Sequence, residues 1–192
     1  MKLFATTALL AGLVAAGPAF AADNYEIDPT HAWVSFKTNH GSWAKAHGMF
    51  KAVSGTISFD KEDVTKSTLD VTIEAASVDT GHEQRDVHLK SPDYLNVEEF
   101  PQITFKSTAI EKTGDNTAKV TGDLTMVGTT KPVTLDVTFN GEAPLPWDAN
   151  VIKSGFSATG TVNGVEFGIS KMTDFGLGPD LELSIDVEAT KK

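Results

Sequence analysis

Apolar and polar residues alternate with a period of two along much of the chain. The clearest stretch is 133–139, where Val, Leu, Val and Phe alternate with Thr, Asp and Thr, and the same pattern recurs in 53–59, 68–74 and 181–187. A period of two places the apolar side chains on one face of a β-strand. Four weaker stretches bring the prediction to about eight strands, and they are 32–38, 103–110, 117–126 and 151–162.

Turn-forming residues separate these strands and favour short connections. They cluster at 60–63, 113–116, 128–132 and Asn140-Gly141, and short connections are typical of antiparallel neighbours. The sequence therefore predicts an all-β, antiparallel fold, which could be a closed barrel or a two-sheet sandwich. We favour the barrel, because strands of about ten residues can tilt to enclose a tall interior.

Three segments interrupt the alternation. Thr80-Gly81-His82-Glu83 has the form of a capping box and predicts a helix to Leu89, and Ser91-Pro92 predicts a second cap that starts a short turn through Tyr94. A short helical insertion near residues 81–95 could cover one end of the barrel. Residues 41–46 are predicted as a short loop or helix, and the glycine-rich stretch 163–179 as a long loop.

The predicted interior faces include several small residues. Gly55, Ala75, Gly122 and Ala158 lie between inward Val, Leu and Phe residues. Small residues inside a ring of large ones could leave an apolar tunnel, or larger neighbours could pack tightly around them. The pattern alone leaves both interpretations open.

The first residues have the features of an export signal. Met1-Lys2 gives a basic start, residues 3–16 are apolar, and Ala19-Phe20-Ala21 forms a small-x-small cleavage site. The apolar run is too short to span a bilayer comfortably, so we expect cleavage after Ala21 and no membrane anchor. Residues 22–192 are then expected to form a single domain exported to the periplasm.

Composition removes several classes of function. The chain has no Cys, which excludes disulfides, Cys-ligated metal sites and thiol nucleophiles. Its 16 Lys and Arg residues face 26 Asp and Glu residues, for a net charge of −10. Because nucleic-acid affinity comes mainly from cationic side chains, nucleic acid is not an expected partner.

Motifs for chemistry are missing from the sequence. The five histidines have spacings that match no metal template, and we expect no catalytic residues, no metal and no cofactor. Trp43 is a candidate for a lid or a plug at a barrel end, and His40 and His47 are candidates for mouth residues. His31, Arg85 and His88 are candidates for a head-group or mouth position, although hydrogen bonds or ion pairs within the fold are the simpler interpretation of His31 and Arg85.

A set of short segments, in a fixed order and spacing, spans essentially all of residues 22–192. They are Tyr25-Glu26-Ile27-Asp28-Pro29-Thr30-His31, His40, Gly48-x-Phe50, Gly55-x-x-x-Phe59-Asp60, Ser77-Val78-Asp79-Thr80-Gly81, Arg85-Asp86-x-His88-Leu89-Lys90-Ser91, Phe100-Pro101-x-Ile103-x-Phe105-Lys106-Ser107 and Gly122-Asp123-Leu124-Thr125-x-x-Gly128-x-Thr130-Lys131-Pro132-Val133. Together they resemble the YceI family of exported, lipid-binding, lipocalin-like proteins. The resemblance implies a lipocalin-like barrel of about eight strands, an elongated apolar cavity and a homodimer.

The expected function is a periplasmic binding or carrier protein for a long-chain isoprenoid or a similar amphiphilic lipid. Where the family commonly has an arginine, this chain has Gly164, so we expect an uncharged or weakly charged head group such as a quinone or a fatty amide. The alternatives are a stress-related structural or interaction barrel and an enzyme acting on the bound lipid. The expected cavity residues are Phe36, His40, Trp43, Phe50, Ile57, Phe105, Leu124, Val137, Phe156 and Phe167.

Overall fold

The computed structural model describes residues 22–192, which form ten β-strands and one α-helix. The predicted signal peptide, 1–21, lies outside the described residues. The strands are β1 (Asp23–His40), β2 (Ala44–Phe50), β3 (Val53–Phe59), β4 (Thr68–Glu74), β5 (Val78–Asp79), β6 (Gln102–Lys112), β7 (Thr117–Met126), β8 (Thr129–Leu145), β9 (Asp148–Asn163) and β10 (Asp180–Lys191), and the helix is α1 (Glu83–Lys90).

Eight of the strands close into an antiparallel barrel. Their order is β1-β3-β4-β6-β7-β8-β9-β10, and β10 pairs back with β1 to close the ring. β2 and β5 extend the sheet beside the second half of β1. The predicted eight-stranded barrel with a short helical insertion is therefore confirmed.

The strand β2 is an element that the sequence pattern did not reveal. Residues 41–43 form a tight turn, and β2 then pairs with β1 from Val34↔Phe50 to His40↔Ala44. The predicted short loop is therefore right for residues 41–43 and wrong for residues 44–46, because pairing with a long neighbouring strand outweighs a weak local pattern. A two-residue break separates β2 from β3, which pairs with the first residues of β1.

The predicted turn at Asn140-Gly141 is also wrong. The register shifts between Phe139 and Gly141, which is a β-bulge, and β8 continues to Leu145. Gly141 has φ of +140°, a conformation that glycine adopts readily and that lets the strand bend without ending. The true turn lies at residues 146–147, so that β8 and β9 form a hairpin much longer than their neighbours.

The helical insertion starts from a different cap than expected. His82 is the N-cap, with its Nδ1 accepting a hydrogen bond from the Arg85 backbone N–H at 3.3 Å. Thr80 instead donates its hydroxyl and backbone N–H to Asp86, at 2.5 and 2.8 Å. The predicted short turn through Tyr94 is confirmed, since residues 92–95 form turns. Within residues 22–192, no helix is long and apolar enough to cross a bilayer.

Two long connections fill one end of the barrel, which we call the closed end. Residues 75–101 link β4 to β6, and residues 164–179 link β9 to β10 through two 3-10 turns, Gly164–Phe167 and Ser170–Phe175. Both bury large side chains inside the barrel. These side chains are Tyr94, Leu95, Phe167, Ile169 and Met172.

Candidate functional site: an apolar cavity in the barrel

The other half of the barrel contains an apolar cavity of about 360 Å³. Its wall is built from the inward residues of the barrel strands, the same alternating positions that the sequence pattern placed on one face. Along β6 the wall runs from Phe105 to Lys112, about 20 Å at the usual rise of a strand. The wall includes Leu69, Val71, Val133, Leu135, Leu183 and Ile185.

The small inward residues do not all enlarge this space. The ring of Phe105 covers Gly122 so closely that a Cβ there would lie 2.5 Å from it, and a Cβ at Gly55 would lie 2.3 Å from the Asp70 carbonyl oxygen. Ala158 does line the cavity. The cavity therefore exists because few side chains reach the middle of the barrel in this half, and glycines do not account for it.

Polar residues line the cavity where two hairpins meet, which we call the mouth. One hairpin is residues 60–67, between β3 and β4, and the other is 113–116, between β6 and β7. Lys61, Lys112, Asp115 and Asn116 lie there, whereas the deeper wall is apolar. An apolar shaft with polar groups at one end matches the shape of an amphiphilic molecule.

An aromatic cluster closes the rest of this end. The rings of Phe59 on β3, Phe139 on β8 and Phe156 on β9 have centroids 5.1 to 5.5 Å apart. β3 and β8 are not neighbours in the sheet, so the cluster crosses the barrel interior. The cavity is thereby left to open beside β4, β6 and β7 only.

A hydrogen-bonded network reinforces this closure at the rim. The Glu142 carboxylate accepts hydrogen bonds from the Tyr25 hydroxyl, from Ser154 Oγ at 2.8 Å and from Lys61 Nζ at 2.5 Å. Tyr25 and Ser154 are each 1% exposed. Because Glu142 lies on the long hairpin and Lys61 on the β3–β4 turn, the network fastens the hairpin across the barrel.

Electrostatics hold the network in its ionised form. Burial by itself disfavours the Glu142 carboxylate, but the hydrogen bonds from Lys61, Tyr25 and Ser154 outweigh burial and lower its pKa to about 2. The bond to Glu142 raises the pKa of Lys61. Burial and the adjacent carboxylate raise the pKa of Tyr25, which stays a neutral donor.

A second polar cluster lies on the outer wall, beside the bulge in β1. His31 Nδ1 is 3.4 Å from Asp28 and 3.8 Å from Glu188, close enough for the three side chains to share a metal ion. Lys153 already forms ion pairs with Asp28 and with Glu188, the latter at 3.8 Å. Its hydrogen bond holds the pKa of Asp28 well below the usual range. This geometry is that of an ion-pair network that ties β1 to β9 and β10.

Five of the ten residues expected from the sequence to line a cavity do so. These are Ile57, Phe105, Leu124, Val137 and Phe156, each on a different barrel strand. They converge because each occupies an inward position in the half of the barrel that the long connections leave empty.

The other five lie toward the closed end. Phe36 and Phe50 pack against each other with ring centroids 5.6 Å apart, and Phe167 is 2% exposed within a 3-10 turn. His40 and Trp43 form the exposed turn between β1 and β2, with their rings 5.6 Å apart. None of these residues belongs to the cavity wall.

The residues expected at a mouth also lie elsewhere. His31 belongs to the outer cluster, and His88 packs edge-on against Tyr94 at the closed end with ring centroids 4.9 Å apart. Arg85 donates Nε to the Thr80 hydroxyl and Nη2 to the Thr80 carbonyl, both at 2.8 Å. Arg85 thus braces the turn before α1, and no carboxylate in residues 22–192 forms an ion pair with it.

Sequence reasoning missed the residues at the true mouth. Lys61 and Asn116 occupy predicted turns and Lys112 lies directly before one, and polar residues are expected there and carry no distinctive signal. Phe59 and Phe139 were visible as inward positions of predicted strands. Their convergence depends on how the long hairpin curves, which the sequence pattern does not express.

Comparisons with known proteins match this architecture. Residues 25–189 match the model of the YceI-like domain. A UPF0312 protein of Pseudomonas savastanoi pv. phaseolicola is 43% identical over 196 residues, covering 100% of this chain and 98% of that protein.

Two solved structures share the fold. The YCEI protein of Campylobacter jejuni superposes with a TM-score of 0.72 at 34% identity, covering 80% of this chain and 90% of that one. A polyisoprenoid binding domain from Saccharophagus degradans superposes with a TM-score of 0.66 at 15% identity, covering 90% of this chain and 100% of that one. At 15% identity, the similarity to the Saccharophagus domain shows a shared fold only.

Proposed function

We propose that this chain, which belongs to the YceI family, is an exported binding protein that carries a long-chain isoprenoid or a similar amphiphilic lipid in its barrel. The observation that supports this function is the apolar cavity of about 360 Å³ with polar groups at one end. This volume falls within the range of small-molecule sites. The name of the Saccharophagus domain, which has the same fold, agrees with such a ligand.

The binding mechanism is transfer of an apolar chain out of water. Burying several hundred Å² of hydrocarbon at about 25 cal/mol per Å² yields on the order of 10 kcal/mol before the cost of ordering the ligand. The long, narrow shape of the cavity suits one extended chain. The same wall selects against polar ligands, because its deeper part offers no polar side chain to hydrogen-bond with them.

Charges at the mouth favour an uncharged head group. Lys61 is neutralised by Glu142 at 2.5 Å and by Asp23 at 3.5 Å, and Asp115 adds a further negative charge near Lys112. A pyrophosphate would have to compete with these carboxylates for the lysines. We therefore propose a quinone-like or fatty-amide-like ligand, consistent with a net charge of −10.

The proposed activity is binding without chemical turnover. The titratable groups lining the cavity are Lys61, Lys112 and Asp115, all at the mouth. A catalytic site would need an acid–base pair beside the reacting part of the lipid. The apolar shaft does not supply such a pair among the described residues.

Mass spectrometry of lipids extracted from the protein, purified after export, tests the ligand class directly. We expect a long-chain species with an uncharged head group as the main component. A pyrophosphate as the main bound species would refute the proposed head group. Export is tested in the same preparation, since the proposal requires periplasmic protein that begins at residue 22.

A matched pair of variants tests the location of the ligand. Ala158→Phe places a ring in the cavity and should abolish uptake of a fluorescent long-chain lipid, whereas Thr159→Phe places the same ring on the exposed outer face and should leave uptake unchanged. Uptake that is equal in the two variants would contradict binding in the cavity. A wild-type protein that takes up no lipid would instead favour a structural role.

A further inference from the structure

The hairpin of β8 and β9 projects beyond the rest of the barrel at the mouth end. The last pair between β7 and β8 is Thr117↔Thr138, and β9 pairs with β10 only as far as Lys153↔Thr190. Residues 143–152, which we call the hairpin tip, therefore pair mainly with each other. Since Phe139 and Phe156 lie in the cavity wall below it, the tip stands directly beside the mouth.

The hairpin tip is depleted of charge in an otherwise charged protein. Asp148 is its one charged residue, whereas 22% of the whole chain is charged. The Asp148 carboxylate accepts hydrogen bonds from the backbone and the side-chain amide of Asn150, at 3.0 and 3.1 Å, which shapes the turn. Trp147 stands at the apex and is 81% exposed. The remaining tip residues are Ala143, Pro144, Leu145, Pro146, Ala149, Val151 and Ile152.

We propose that the hairpin tip inserts into the surface of a neutral lipid bilayer and holds the cavity mouth against it. Tryptophan favours the boundary between water and hydrocarbon, because its ring is large and apolar while its N–H remains hydrogen-bonded. The arrangement gives an apolar ligand a route between bilayer and cavity that avoids bulk water. That consequence rests on the proposed function, whereas bilayer docking itself rests on the tip.

The backbone of the tip suits a bilayer better than a protein partner. Pro144 lies in the part of β8 that extends past β7, where a free strand edge would otherwise accept another strand. Proline has no N–H to donate, so it blocks strand addition and removes a polar group that would be costly to bury in lipid. Pro146, in the turn beside Trp147, likewise has no N–H that would have to enter lipid unpaired.

The area of the tip argues against a second copy of the chain. Stable protein interfaces bury about 800 Å² on each partner. An exposed tryptophan provides about 200 Å², and the other large apolar side chains of the tip, Leu145, Val151 and Ile152, are already partly buried. A bilayer imposes no minimum area, because insertion strength scales with whatever apolar surface enters it.

Charge determines which bilayer fits. The chain carries a net charge of −10 and the tip itself carries Asp148, whereas the nearby Asp23 and Glu142 are paired with Lys61. The net charge and Asp148 disfavour an anionic surface, so docking depends on apolar insertion into neutral lipid and should not increase with anionic lipid content.

Trp43 provides an internal control at the opposite end of the barrel. It is 80% exposed, nearly the same as Trp147. Its turn, however, contains Ser42, is followed by Lys45 and lies at the closed end, far from the mouth. At that end Gly41 donates its N–H to the Gly176 carbonyl at 2.7 Å. If exposure of the indole ring were sufficient for insertion into a bilayer, the two tryptophans would respond alike to vesicles.

Single-tryptophan proteins separate these cases. Trp33→Phe with Trp43→Phe leaves Trp147 as the only tryptophan, and Trp33→Phe with Trp147→Phe leaves Trp43. On adding phosphatidylcholine vesicles, we expect the emission of Trp147 to shift to shorter wavelength and to be quenched by lipids brominated on their acyl chains. The emission of Trp43 should not change. An unchanged Trp147, or equal changes at both positions, would overturn the proposal.

The variant Trp147→Ser connects docking to binding. We expect it to lower the vesicle-bound fraction about tenfold and to keep wild-type uptake of a fluorescent lipid dispersed without vesicles. Loss of docking with uptake retained supports the proposal, whereas absence of uptake even in the wild type would reject the proposed function and leave the docking result standing. A dimer seen by sedimentation that disappears in Trp147→Ser would show that the tip binds a second copy, and would overturn bilayer docking.

Discussion

The two halves of the barrel share one sequence pattern and have opposite interiors. In the filled half, at the closed end, Tyr94, Phe167 and Met172 are nearly inaccessible to solvent. In the hollow half, inward residues such as Val137 and Leu183 keep part of their surface accessible, because they face the cavity. The alternation of apolar and polar residues therefore determines which side chains point inward. It does not determine whether those side chains pack against others or face a cavity.

The difference between the halves originates in their connections. The filled half receives side chains from two long segments, 75–101 and 164–179, which fold into the barrel. The hairpins 60–67 and 113–116 at the other end are short and polar, so they contribute no large side chain to the interior. Only the long hairpin of β8 and β9 bends across that end, and it covers part of it.

The largest expected effect comes from truncating one phenylalanine in each half. Phe167→Ala should reduce the free energy of unfolding by about 4 kcal/mol, because it leaves a void among fully packed side chains. Phe156→Ala should cost about 2 kcal/mol or less, since its ring already borders open space. Urea denaturation of both variants measures the difference. Equal losses would mean that the cavity is filled in solution.

Replacing a small inward residue by a large one should also distinguish the two halves. Ala75→Phe in the filled half, where Ala75 is 1% exposed, should destabilise the fold by about 3 kcal/mol through overpacking. Ala158→Phe in the hollow half should change stability by less than about 1 kcal/mol, because the ring enters existing space. Thermal melting of the two variants beside the wild type tests this. A large loss from Ala158→Phe would show that the hollow half has no spare volume.

A smaller effect concerns the rim network of the hollow half. The pKa of Glu142 is lowered from 4.5 to about 2 in the folded protein, so its ionised form stabilises the fold above pH 4.5. That contribution is lost as the pH falls toward 2. With screening at the partly exposed rim, we expect it to be about 1 to 2 kcal/mol.

The pH dependence is measured by denaturation between pH 2 and 6. Glu142→Gln should lose less stability than the wild type over this range, because the titrating group is absent. Glu98→Gln, an exposed residue in the connection at the closed end, controls for the loss of one negative charge. If Glu142→Gln and the wild type lose stability in parallel, the carboxylate does not hold the hairpin across the rim.

Local sequence signals predicted the strands better than the site. Stretches such as 133–139 and 181–187 gave the correct strands and inward faces, since both follow from a period of two. The sequence pattern missed β2 and misplaced the end of β8, because pairing with β1 and a bulge at Gly141 decided those boundaries. Half of the expected cavity residues proved to be packed or exposed at the closed end.

By itself, the sequence determined an antiparallel barrel with apolar inward positions, an acidic surface and a family resemblance that the comparisons confirm. Only the tertiary structure decided which half of the barrel is empty, where Lys61 and Asn116 form the mouth, and that Trp147 stands beside it. The physical reason is that alternation is a property of each strand alone. A cavity depends on how far segments distant in sequence reach into the space that the strands enclose.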